Sequence, residues 1–90
     1  MTAKLTMDSF TYPDHLRELL SRRTPTSHRF AVPVDDRGLC AKCRQSVTEL
    51  RDRGFAVLLD QAPMNGRDVY VYLLTARGVA LCKEGGIVVR

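Results

Sequence analysis

Ninety residues suffice for one small core and not for two, so the chain reads as a single domain over 1–90. No apolar run approaches the length of a bilayer-spanning helix, and a 27% charged share argues against one. Fourteen Lys and Arg against ten Asp and Glu leave a formal +4, which suits an anionic partner without requiring one.

The start, MTAKLTMDSF, has neither the basic-then-apolar pattern of a signal peptide nor a cleavage motif, so a cytoplasmic, non-membrane protein is expected. Three cysteines in such a protein point to structural thiols or a metal site rather than to disulfides.

Residues 1–11 show no period and read as a flexible lead or a short docking strand. Thr11-Tyr12-Pro13-Asp14 is a helix start, with a threonine cap, a proline where no donor is lost, and an acid near the positive helix end. Leu16, Leu19 and Leu20 then share a stripe, predicting a helix over 13–22. In the segment 24–39, Phe30, Val32 and Val34 alternate as in a short strand. Equally, Pro25 can open a short helix over 27–32 that Pro33 ends. Asp35-Asp36-Arg37-Gly38 reads as a turn, with an Asp as cap of the next helix.

That helix, over 41–53, has Leu39, Cys43, Val47 and Leu50 on its inner stripe. Ala41, Arg44, Gln45, Thr48 and Asp52 point outward, Lys42 and Arg51 lie on the flanks, and Glu49 is placed near the outer face. Gly54 provides a left-handed cap, and Phe55 folds back towards Leu50. The period then falls to two. Strands are predicted over 55–59 and 69–74, joined by a long polar tip, Asp60 to Asp68, that contains Asn65-Gly66. On the second strand, Tyr72 and Leu74 are core candidates. Thr75 caps a helix to Glu84, and Gly85-Gly86 ends it; a rival hairpin pairs 79–82 with 87–90. The apolar tail in 85–90, Ile87-Val88-Val89, is expected on a strand edge or a second subunit.

With Ser46-Val47-Thr48-Glu49-Leu50-Arg51-Asp52-Arg53-Gly54-Phe55 followed by Tyr72-Leu73-Leu74-Thr75-Ala76-Arg77-Gly78, the chain resembles the winged helix–turn–helix family over roughly 13–84. The first segment resembles that family's recognition-helix exit, and the second its passage from the second wing strand into a further helix. One departure is that 24–39 shows no clear amphipathic second helix ahead of the recognition helix.

The resemblance implies an α+β winged helix of three to four helices with a two- or three-stranded antiparallel wing sheet. It further implies binding of double-stranded DNA, as in a transcriptional regulator, by a monomer or a homodimer. On that reading Arg44, Gln45 and Thr48 face base edges, while Lys42 and Arg51 meet phosphates. Asn65 and Arg67 form the wing contact, with Arg22, Arg23 and Arg29 as further backbone contacts.

The alternative is a protein-interaction or inhibitory module on the same scaffold, for which Tyr70, Tyr72 and the 87–89 tail supply a surface. Cys40-x-x-Cys43 can grip zinc, with Cys82 and His28 or His15 completing a tetrahedral set, but within a helix the pair reads first as packing, and no cofactor is expected. No phosphate loop, carboxylate pair or nucleophile motif marks an enzyme.

Overall fold

The computed structural model describes residues 6–34 and 39–89. Among them the order is a single 3-10 turn (Met7–Ser9), α1 (Pro13–Ser21), β1 (Arg29–Pro33), α2 (Ala41–Asp52), β2 (Ala56–Met64), β3 (Arg67–Leu74) and α3 (Ala76–Glu84). The strands form one antiparallel sheet in the order β1-β3-β2. This α+β layout is compatible with a winged helix.

The described part of the N-terminal lead, residues 6–11, is tied down rather than loose. Ser9 Oγ accepts from the Thr6 N–H at 3.2 Å, and the turn drives Met7 and Phe10 into the core. Helix α1 begins with Pro13 and buries Leu16, Leu19 and Leu20, as the leucine spacing requires. The strand reading of the next segment is the correct one. Phe30 and Val32 of β1 are buried, and Phe30 stacks on Tyr72 with ring centroids 5.4 Å apart. The expected Asp cap and Gly38 fall outside the described residues.

Helix α2 is capped instead by Cys40, whose Sγ accepts from the Cys43 N–H at 3.4 Å. Its end is a Schellman turn. Gly54, at φ +79°, donates to the Arg51 carbonyl at 3.1 Å, and Phe55 donates to that of Leu50 at 2.8 Å. Val47 and Leu50 are buried as expected, but Glu49 is buried too, at 8% exposure. Its Oε1 accepts from the Thr11 N–H at 3.0 Å, and its Oε2 from the Thr11 hydroxyl at 2.6 Å. The N-terminal segment therefore covers one flank of α2, a tertiary contact that the helical period alone does not reveal. Burial pushes the Glu49 carboxyl up, but donation from Thr11 and Gln45 and the charge of Arg53 outweigh it, so the carboxyl titrates below its usual range.

The expected nine-residue tip, 60–68, is mostly ladder. Pairing continues to Met64 opposite Arg67, and only Asn65 and Gly66 turn, at φ +53° and +79°. Two positive φ values in succession give the twist that lets a two-residue loop join antiparallel strands, so the hairpin is longer and its tip narrower than the polar sequence implies. Pro63 is tolerated because β2 is an edge strand, and a bulge at Leu59 adds one residue opposite Tyr72 and Val71.

Tyr72 and Leu74 are buried as predicted. In α3, capped by Thr75 with its hydroxyl accepting from Gly78, the helix reading prevails over the rival hairpin. A second Schellman turn at Gly86 sends Ile87 into the core; among the described residues the tail joins no strand, and Val88 is 78% exposed.

Candidate functional site

Two groups of side chains stand out. The first is the outward side of α2. Burial of Ser46, Val47, Glu49 and Leu50 turns Lys42, Gln45, Arg51 and Asp52 to solvent, with Arg44 and Thr48 half-buried between them. Several of these side chains already have partners. The Lys42 ammonium lies 5.6 Å from the Tyr12 ring centroid, and Gln45 Nε2 donates to Glu49 Oε2 at 3.1 Å. The Thr48 hydroxyl donates to the Arg44 carbonyl at 3.1 Å, and Arg51 Nε is 3.6 Å from Asp52 Oδ1. The last three are local contacts of the helix with itself; an exposed pair such as Arg51–Asp52 contributes little and exchanges easily for a new partner.

Asn65 and Arg67 are exposed at the hairpin tip. They line a cleft of about 450 Å³ with Arg22, Phe30 and Leu39, which brings the tip beside the residue that precedes the α2 cap. Residues 42–51 do not line that cleft, so the structure gathers the sequence-predicted residues into two neighbouring groups rather than one.

Much of the positive charge is already engaged. The Arg53 guanidinium covers the Phe10 ring at 4.8 Å and donates to the Ser9 carbonyl. Arg77 covers Phe55 at 4.7 Å and donates to the Arg53 carbonyl, while Arg23 donates to the carbonyls of Leu20 and Ile87. Arg23, expected as a backbone contact, thus ties the C-terminal tail to α1. Arg22 is paired with Glu18 at 3.0 Å, and Arg29 is exposed on β1.

The second group is His15, Cys40 and Cys43, whose potential ligand atoms all lie within 4.8 Å of one another, close enough to hold a metal ion. His15 Nδ1 is 3.5 Å from each sulfur. The fold builds this from two elements. His15 is the third residue of α1, while the start of α2 supplies one thiol as its cap and the other a turn later. Donation from the Cys43 amide holds the exposed Cys40 thiol below its ordinary value, and burial, reinforced by the Cys40 thiol, pushes Cys43 up. Cys82 does not join them. It is buried in the core, where desolvation raises its pKa. His28 is likewise outside the group, at φ +53° in the bend before β1. The pair Cys40-x-x-Cys43 is visible in the sequence, which offers His15 and His28 alike as a partner; the docking of α1 on α2 selects His15.

The surface expected for a protein partner is also rearranged. Tyr72 and Ile87 are buried, and Tyr70 packs against the core. Of that expected surface Val88 stays exposed, and Val57, Leu58, Leu59 and Met64 of β2 are exposed as well, at between 44% and 48%. Among the described residues no helix is long and apolar enough to cross a membrane. In comparisons with known proteins, no family model, curated protein or solved structure matches the chain.

Proposed function

We propose that this protein binds duplex DNA, with α2 entering the major groove and the tip of the β2–β3 hairpin resting on the backbone, as a transcriptional regulator or another DNA-site factor does. One observation carries the reading. The fold buries one side of α2 and turns the opposite side to solvent, with Gln45 and Arg51 exposed and Arg44 and Thr48 half-buried, directly ahead of a two-stranded hairpin whose exposed tip holds Arg67. Arg44 and Gln45 have the donor patterns that read guanine and adenine edges, and Lys42, Arg51 and Arg67 supply phosphate charge. Between β1 and α2 there is no helix among the described residues, so α2 reaches the groove without the usual preceding helix across the backbone.

Fluorescence anisotropy against labelled duplex, repeated at rising salt, tests it. Affinity should fall steeply with salt, Arg67→Ala should weaken all sequences alike, and Arg44→Ala should cost about 1–3 kcal/mol at a preferred site. No binding at low salt would refute the proposal.

A second reading, a protein-interaction module, is favoured by a different observation. The edge strand β2 carries Val57, Leu58, Leu59 and Met64 exposed, and across the sheet Val57 pairs with Leu73 and Ala31 with Val71, giving an apolar outer face. Failure of the DNA titration together with concentration-dependent self-association in sedimentation would favour that surface.

A further inference from the structure

We propose that His15, Cys40 and Cys43 form a binding site for a single zinc ion, held by one imidazole nitrogen and two thiolates with the fourth position open to solvent. The geometry matches the ion's demands. Zn–S bonds near 2.3 Å and Zn–N bonds near 2.0–2.1 Å, set at tetrahedral angles, place sulfur and nitrogen about 3.6 Å apart. Both sulfur-to-Nδ1 separations are 3.5 Å, which matches two edges of such a tetrahedron, and all three ligand atoms lie within 4.8 Å of one another. His15 Nδ1 meets both sulfurs rather than one, which a simple thiol–imidazole hydrogen bond does not require.

Charge and position agree with this. On binding, each thiol releases its proton to solvent, and two thiolates with a neutral imidazole balance the dication, so the half-exposed site needs no further counter-ion. Among the described residues no fourth His, Cys, Asp or Glu joins the group, and Cys40 is exposed, so water can reach the remaining position. The ion would bridge the first turn of α1 to the first turn of α2, an added clip between two helices that otherwise meet through side-chain packing. Binding to the folded chain alone then stabilises it by an amount that grows with the logarithm of the free zinc concentration.

The test is independent of DNA. The full chain, kept reduced, is titrated with Zn²⁺ against a chromophoric chelator, and with Co²⁺ while the thiolate-to-cobalt charge-transfer absorption is followed. The proposal expects one ion per chain, a charge-transfer band typical of two thiolates, and a melting temperature that rises with zinc and falls with chelator. His15→Gln, which keeps both thiols, and Cys40→Ser, at an exposed position, should each weaken zinc at least roughly tenfold. Cys82→Ala should leave binding unchanged. Failure of reduced protein to bind, unaltered affinity in His15→Gln, or one ion shared by two chains would each overturn it.

Discussion

Glu49 offers the sharpest quantitative test of how the fold holds its central helix. Its carboxylate, 8% exposed, takes three hydrogen bonds: two from Thr11 and one from Gln45. In Glu49→Gln one of the two acceptor oxygens becomes an amide nitrogen, so either the Thr11 amide or the Gln45 side chain faces a donor. Hydrogen bonds to a charged group contribute about 1.5–3 kcal/mol each. The Thr11 hydroxyl can rotate to accept, and Thr11 itself is exposed, so a net loss of about 2 kcal/mol is expected rather than the sum. For a domain of this size that lowers the melting temperature by roughly 10 °C.

The acid dependence follows from the same contacts. The folded carboxyl titrates below the ordinary glutamate value of 4.5. Its contribution is therefore fully present above that value and is lost as the pH falls through the folded one, because the unfolded chain takes up the proton first. Urea unfolding of both proteins from neutral to acid pH measures both effects: the variant should be less stable at neutrality, and the gap should narrow in acid. A variant within about 0.5 kcal/mol of the parent, with a parallel acid profile, would refute the assigned role of Glu49.

Two further outcomes follow from packing and thiol chemistry. A Cβ at Gly78 would stand 2.1 Å from the Phe55 carbonyl oxygen and 3.0 Å from Leu74 Cδ2, so Gly78→Ala should force α3 off the sheet and cost about 3 kcal/mol; unchanged thermal unfolding would contradict that contact. Alkylation followed by peptide mass spectrometry should label Cys40 first, Cys43 more slowly and Cys82 only on unfolding, given their exposure and the opposite directions of their shifts. Labelling of Cys82 in the native protein at the rate of Cys40 would refute its burial.

The features legible in the sequence are those decided within a few residues. Gly54-Phe55 reads as a helix stop because the left-handed φ and the return to Leu50 are local. Thr75 and Pro13 mark helix starts for the same reason, and the leucines of α1 define their own buried side. What was hidden depends on contacts across the chain. The helical period places Glu49 towards the outside, and only Thr11, 38 residues earlier, makes it an inner residue. The polar composition of 60–68 reads as loop, whereas a two-residue turn at Asn65-Gly66 extends the ladder through it. Met7 and Phe10 lie three apart in a single turn, a signal too short to rise above an aperiodic lead. Of the candidate site, Cys40 and Cys43 announce themselves by spacing, while His15 becomes their neighbour only when α1 packs on α2.

The central claim is that the outward side of α2 and the hairpin tip meet DNA. The most direct test is amide chemical-shift mapping of the labelled protein as duplex is added at low salt. The account predicts perturbations concentrated on 41–53 and 65–67, reversed by added salt. Shifts confined to the apolar strand at 57–59, or none at any duplex concentration, would contradict it.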